Sequence, residues 1–395
     1  MLSSHHDIIA ACYYLGAYIF RTSDTALRMI PPKATSVIVR ETELVSEVHA
    51  KFSVDGGPMI NQISRLVKGK NYVEVEYVVS PVPIGDGIGK EIISRFSTSI
   101  ESRGTFFTDS NGREFLKRTR GDNKLYGTVD HDPVAIEPIA GNYYPVNAAV
   151  FIEDESRSFS VLLDRSQGAS SLSDGCIELM IQRRLLHDDA RGVAEALNET
   201  DVGITPNPPY GNATRLGSGL FIKGTHRLMI GEGMSGASQA RSRMDETFSQ
   251  PHIFVSSAVA NENAPFQHAK FSAAGSPLPE NVMLVTFASL REYGVFLIRL
   301  AHQYGADENS KYSLPVRVDL SVLFPTRTII SVREKTLSAN QDRSDWLRTM
   351  LPWNGSTIGE PQRVPAKTSY RGLEVDGTFV EIKPLEILTF EVKVA

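Results

Sequence analysis

The chain has 395 residues, 41% hydrophobic and 22% charged, an ordinary globular composition with room for two or three domains. A net charge of −5 argues against nucleic acid or an anionic membrane as partner. Two cysteines, Cys12 and Cys176, exclude a disulfide framework, and no run is apolar for long enough to span a bilayer as a helix.

Near the start stands Ser4-His5-His6-Asp7, on composition alone a solvated cluster. Ile8–Phe20 has the length of a signal-peptide core, but no basic residues precede it and no small-x-small site follows. The reading preferred here is a first strand. From Ala34 to Ser80, SVIVRETELVSEVHAKF and NYVEVEYVV alternate with period two, and Gly56-Gly57-Pro58 and Lys68–Asn71 read as turns between them. Valine alternating with glutamate predicts antiparallel strands with one wet face. Pro81, Pro83, Gly85, Gly87 and Gly89 form a breaker-rich loop without the GxGxxG-plus-helix pattern of a phosphate cradle. ISRFSTSI is a further strand, and a DSNG turn follows at Asp109. Asp130-His131-Asp132 offers metal-ligand types, but without helical spacing or a third ligand it reads as a loop.

Tyr143–Glu199 mixes two textures. Val146–Ile152 and Phe159–Leu163 are strand-like, whereas Arg183-Arg184, Asp188-Asp189, Arg191 and Glu195 form a polar knot. One reading is a salt-bridged loop pinning two sheets, with Asp188 and Asp189 partnering Arg183, Arg184 and Arg191. The other is a wall of a sugar-binding cleft. Tyr143-Tyr144 suits the C–H face of a pyranose or a core equally well. Adjacent Asp188 and Asp189 cannot span a scissile glycosidic bond, which a retaining pair does at about 5–5.5 Å. Beyond Thr200 the texture loosens: SGLFIKGTHRLMIGEG reads as a hairpin, Met234–Arg243 as a small, polar stretch, and FSQPHIFVSSAVA as a return to strand. MLVTFASL, YGVFLIRLAHQY, LPVRVDLSVLF, Arg327–Glu334 and Phe379–Phe390 read as strands, and Ser338–Gly359, with Trp346 and Trp353, as a surface excursion. Few long helices are expected. Asn198, Asn212 and Asn354 open N-glycosylation sequons.

The stretch DRSQGASSLSDGCIELMIQRRLLHDDARGVAEALNE resembles the signature region of glycoside hydrolase family 38 α-mannosidases, closest to the lysosomal or vacuolar acid type. The likeness extends through DGIGKEIISRF, TFFTDSNGREFLKR and AGNYYPV upstream and SLPENVMLVTF, LIRLAHQY and LSANQ downstream, over about residues 15–395. It implies the β-rich C-terminal half of that family: mostly β, antiparallel β-sandwich domains, a galactose-mutarotase-like super-sandwich followed by a smaller β-sandwich. The expected division is a remnant of the catalytic region at 1–14, a large sandwich at 15–270 and a small β domain at 271–395.

The resemblance further implies hydrolysis of terminal α-D-mannose in glycans, a zinc ion with His6 as one ligand, and sugar contacts from Asp7, Tyr143, Tyr144 and Arg191. It implies a lysosomal, vacuolar or extracellular setting and mannose-containing glycans as partners. His6-Asp7 continues as Ile8-Ile9-Ala10-Ala11-Cys12, unlike the family, and neither tryptophan stands in the family's Asp-x-Gly-Trp context. The isolated chain is therefore expected to lack turnover and to need a catalytic α-mannosidase half. The alternative is a non-catalytic carbohydrate-binding or scaffold β protein. Apolar surface is expected to be exposed around GNYYPV, making the product prone to association.

Overall fold

Regular alternation becomes strand nearly everywhere it occurs. The computed structural model describes residues 3–10, 33–53, 57–121, 139–186, 196–202, 218–248, 252–255, 272–349 and 377–395. Two units are present, Met1–Pro251 and His252–Ala395. The first contains β1 (Ser3–Ala10), β2 (Lys33–Glu41), β3 (Val45–Ser53), β4 (Met59–Val67), β5 (Val73–Val79), β6 (Lys90–Ser97) and β7 (Thr105–Ser110). It continues with β8 (Glu114–Thr119), β9 (Tyr144–Val146), β10 (Ala149–Glu153), β11 (Arg157–Leu163), β12 (Gln167–Ser170), β13 (Cys176–Arg184), β14 (Ile222–Glu232) and one helix, α1 (Gly236–Phe248).

These strands make a five-stranded sheet, β1-β6-β13-β12-β9, and a nine-stranded sheet, β2-β3-β4-β5-β14-β11-β10-β7-β8. Pairing is antiparallel throughout the described ladders. Phe96, Ile177 and Leu179 of one sheet pack with Val75, Phe106, Val150, Ile152 and Phe159 of the other in a single buried cluster. Each such side chain contributes about 2 kcal/mol relative to exposure. This is a β-sandwich, as the patterning predicts. The loop of Pro81–Gly89 is closed by buried Lys90, whose Nζ donates to the Pro83 carbonyl (2.8 Å) and to Asp86 (2.6 Å).

The expected strand over Val146–Ile152 is interrupted at Asn147-Ala148. The freed backbone groups are not orphaned. One carboxylate oxygen of buried Asp109 accepts the N–H groups of Asn147, Ala148 and Ala149 at 2.8–3.0 Å. The other oxygen accepts Gly112 N–H at 2.7 Å and closes the β7–β8 hairpin, with Asn111 and Gly112 at positive φ.

Three expectations for the end of the first unit and the start of the second are corrected. SGLFIKGTHRLMIGEG is no hairpin, because Ile222–Glu232 within it runs as one continuous eleven-residue strand, β14. Gly224 within it marks close packing rather than a turn: a Cβ there would lie 2.2 Å from the Tyr77 hydroxyl oxygen. Second, Met234–Arg243 runs into the thirteen-residue helix α1. Its buried residues are Gly236, Ala240, Arg241, Met244 and Thr247, and Ala240 and Met244 pack on Leu162 and Met229 of the nine-stranded sheet. Large apolar residues, the usual sign of such a face, are scarce there. Third, the described part of PHIFV, residues 252–255, is not strand.

The second unit contains β15 (Val282–Ser289), β16 (Val295–His302), β17 (Val316–Asp319), β18 (Ile329–Lys335), a short helix α2 (Arg343–Thr349), β19 (Phe379–Ile382) and β20 (Ile387–Val394). The sheets are β15-β16-β20-β18 and β17-β19. Ile298, Leu300, Leu320, Val380, Phe390 and Val392 share their core. LPVRVDLSVLF is strand only to Asp319, whose carboxylate accepts Ser321 N–H (2.9 Å) and starts a 3-10 turn over Leu320–Leu323. Phe379–Phe390 is two strands in different sheets, with Leu385 at φ 66° between them.

Candidate functional site on strands β6 and β13

Strands β6 and β13 carry opposite charges inside apolar runs, KEIISRFS and CIELMIQRR. Their register sets Glu178 against Arg95 and Arg183 against Glu91. The spacings differ: four positions from Glu91 to Arg95, five from Glu178 to Arg183. An irregularity between Met180 and Gln182 absorbs the extra residue, so both pairs form. Arg183 Nε donates to Glu91 at 2.5 Å, and Arg95 Nε donates to Glu178 at 2.7 Å. Both glutamates are buried.

The Tyr143 hydroxyl donates to the second oxygen of Glu178 at 2.9 Å. Gly168 packs close to Met180 beside it, since a Cβ there would sit 2.8 Å from Met180 Sδ, while the Tyr143 ring lies at an ordinary 3.7 Å. Burial, followed by the charge of Glu178, holds the Tyr143 phenol well above its ordinary value. Burial likewise pushes the Glu91 carboxyl up, while Arg183 pulls against it. Arg184 is also buried and donates to the Val82 carbonyl at 2.7 Å, packed where Gly219 has no side chain. Between the two sheets, Gln167 donates to the Met180 carbonyl (2.9 Å) and meets His226 Nε2 at 2.9 Å beside the Tyr77 ring.

The arrangement is a rigid, charge-paired wall. Glu91 and Glu178 each hold an arginine directly, so neither is an open acid or nucleophile. Tyr143 and Tyr144 part company: Tyr143 joins Glu178, whereas Tyr144 packs edge-on to Phe106 (5.7 Å) with the Arg118 guanidinium 4.3 Å from its ring centre. The backbone register places His6 opposite Ser94 and Asp7 opposite Ile93, on the strand beside β6. Arg183 and Arg184 of the polar knot find Glu91 and the Val82 carbonyl, partners that reading the knot alone did not supply.

Asp188, Asp189, Arg191 and Glu195 lie outside the described residues, as do Asp130-His131-Asp132, Cys12, Trp353, Asn212 and Asn354. Asn198 is 8% exposed. Among the described residues no three His, Cys, Asp or Glu side chains group as metal ligands. Glu91, Arg95, Glu178 and Gly168 were not singled out from the sequence. The available signal was the matched opposite charges within two apolar strands.

Residues 3–191 match the family model described as Glycosyl hydrolases family 38 C-terminal domain. The chain is 38% identical over 384 residues to the lysosomal alpha-mannosidase of Homo sapiens, covering 95% of this chain and 34% of that protein. It is 36% identical over 380 residues to the alpha-mannosidase of Canavalia ensiformis, covering 95% of this chain and 36% of that protein. The chain thus spans about a third of the length of the curated relatives it matches. An alpha-mannosidase structure from Enterococcus faecalis V583 aligns over 99% of this chain and 38% of its own, with TM-score 0.56 and 12% identity, a likeness of fold.

Proposed function

Because this chain belongs to glycosyl hydrolase family 38 as a C-terminal, mostly β portion, we propose that it forms the β part of an α-mannosidase acting on terminal α-D-mannose in glycans. The observation that carries this is the identity of 36–38% sustained over 95% of the chain with the alpha-mannosidases of Canavalia ensiformis and Homo sapiens. Fold likeness alone does not carry an activity.

In a retaining mechanism a carboxylate attacks the anomeric carbon and a second carboxylic acid protonates the leaving oxygen. We assign both groups to a catalytic half outside the residues described. The Glu91–Arg183 and Arg95–Glu178–Tyr143 pairs keep the β wall stiff. Tyr143, Tyr144, Arg191 and Asp7 are the proposed sugar contacts. A zinc ion would polarise substrate hydroxyls. The described residues do not fit it by themselves, so His6 is proposed only as one ligand among others supplied by the catalytic half. The setting proposed is the lysosome, a vacuole or the extracellular space, with Asn198, Asn212 and Asn354 as glycan acceptors. The 8% exposure of Asn198 disfavours attachment there.

The test is an assay of the purified 395-residue chain on a chromogenic α-mannoside, with and without zinc, alone and mixed with the catalytic portion of a family relative. Turnover is expected in the mixture and not from the chain alone. Turnover by the chain alone overturns the division of labour. Saturable mannose binding with no gain in the mixture supports the free-standing carbohydrate-binding alternative.

A further inference from the structure

At the far end of β6 from the Glu91–Arg183 pair lies a concave surface. The Ser99–Arg103 turn forms one wall, the Glu153–Arg157 hairpin another, and β7 and β8 the floor. Seven residues separate Glu91 from Thr98, about 23 Å at about 3.3 Å per residue. The groove holds about 560 Å³ and is open to solvent. Small-ligand sites occupy about 300–1,000 Å³. We propose that this groove binds a saccharide chain, independently of any hydrolysis.

The floor is aromatic. Phe107 lines it and is backed by Phe151, the two rings stacked at 4.6 Å and 8°. A flat, braced ring offers the surface on which the C–H face of a pyranose packs. The walls are charged but unpaired. Arg103, Lys117 and Arg157 line the groove, and among the described residues none of them has a carboxylate partner. Glu101 and Glu153 line it as well, and among the described residues neither has a lysine or arginine partner. One Glu153 oxygen accepts Gly236 N–H (3.1 Å) at the start of α1, and burial pushes its carboxyl up. Asp154 serves the rim instead, accepting the N–H groups of Glu101, Ser156 and Arg157.

The opposite charges are held apart by backbone. Arg103 sits at φ 50°, a left-handed conformation that disfavours a non-glycine residue. Thr105 N–H to the Ser102 carbonyl (2.9 Å) and Gly104 N–H to Asp174 (2.9 Å) lock the turn that imposes it. The turn thus fixes the backbone from which the exposed Arg103 side chain extends.

A simple anion would meet Glu101 and Glu155 in the same groove, and a simple cation would meet the two arginines. A neutral ligand dense in hydroxyls uses both sets at once. Guanidinium and ammonium donate to its oxygens, and carboxylates accept from its hydroxyls.

The experiment is titration of the 395-residue chain with mannotriose, maltotriose and inorganic phosphate, read by saturation-transfer NMR and calorimetry. Saturable binding of a trisaccharide but not of phosphate is expected. The pair Arg103→Gly and Lys117→Ala should weaken it about tenfold or more. Glycine accepts φ 50°, so the thermal midpoint should stay close to that of the parent chain. Phe107→Leu keeps bulk in the floor while removing the ring, and should weaken binding as well. No trisaccharide binding overturns the proposal, as do equal affinity in the folded double variant and phosphate displacing the sugar. The readout is binding alone, so a failure of the α-mannosidase reading leaves it intact, and the converse also holds.

Discussion

One row of residues crosses the nine-stranded sheet from Val39 on β2 through Val48, Ser64 and Val75 to His226 on β14. It begins in water and ends in the core: Val39 is 62% exposed and Val48 40%, whereas Val75 is 3% and His226 0%. The strands look alike in sequence and share one face, yet only the β5 and β14 end of the row is buried. Alternation therefore reports which residues share a face and not whether anything lies on it. On the opposite face, the outer strands are stabilised by a row of charges, Glu47–Arg65–Glu74, with Arg65 donating to Glu47 at 2.6 Å. Exposed apolar surface was expected to include GNYYPV, where Pro145 is exposed and Tyr143 and Tyr144 are half-buried. Val146 is fully buried there, and the exposed apolar residues of the sandwich include Val37, Val39, Val48 and Leu66 of β2–β4.

The contrast can be broken most forcefully on its buried side. Glu178→Gln keeps the shape but removes the charge facing Arg95, and a buried ion whose partner is lost costs about 3–5 kcal/mol. The drop should appear in the denaturant midpoint of the first unit. A loss below about 1 kcal/mol would mean that the pair is not a central support.

An intermediate effect is expected where α1 is tied to the β4–β5 turn. Burial alone would raise the Glu246 carboxyl, but hydrogen bonds from Lys70, Tyr72 and Arg243 bring it down to about 2. A depressed carboxylate stabilises the fold above its unfolded value of about 4.3, and that contribution fades as the pH falls toward 2. Glu246→Gln should therefore cost about 1 kcal/mol at pH 7, after solvent screening, and nearly nothing at pH 2. Stability curves of the two proteins against pH would converge in acid. Parallel curves would refute the tie.

The smallest effect belongs to the exposed side. Val39→Lys and Leu66→Lys should each move stability by less than about 0.5 kcal/mol while reducing binding of a hydrophobic dye. A core-sized loss from either would show that this face is covered in solution.

The sequence disclosed the strands well and their partners poorly. β3 and β5 are legible because close to one residue in two is apolar and turn residues flank them, whereas β4, MINQISRLV, does not alternate. Helix α1 was not legible, because its buried residues are glycine, alanine, arginine, methionine and threonine rather than a leucine stripe. The charges of β6 and β13 were visible, but Arg95 and Glu178 stand 83 positions apart, and pairing over that distance is set by topology. Tyr143-Tyr144 was legible as a notable pair. That one hydroxyl is committed to Glu178 while the other ring lies against Phe106 depends on strand β9 beginning between them.

The irregularity beside Ile181 also constrains how this gene can change length. With four positions between the charges on β6 and five on β13, deleting the extra residue would leave four on each strand, a regular ladder in which Arg183 still meets Glu91. Deleting a residue of β6 instead would leave three against five, a mismatch that a one-residue bulge does not absorb. The segment should therefore tolerate loss of one residue on β13 far better than on β6.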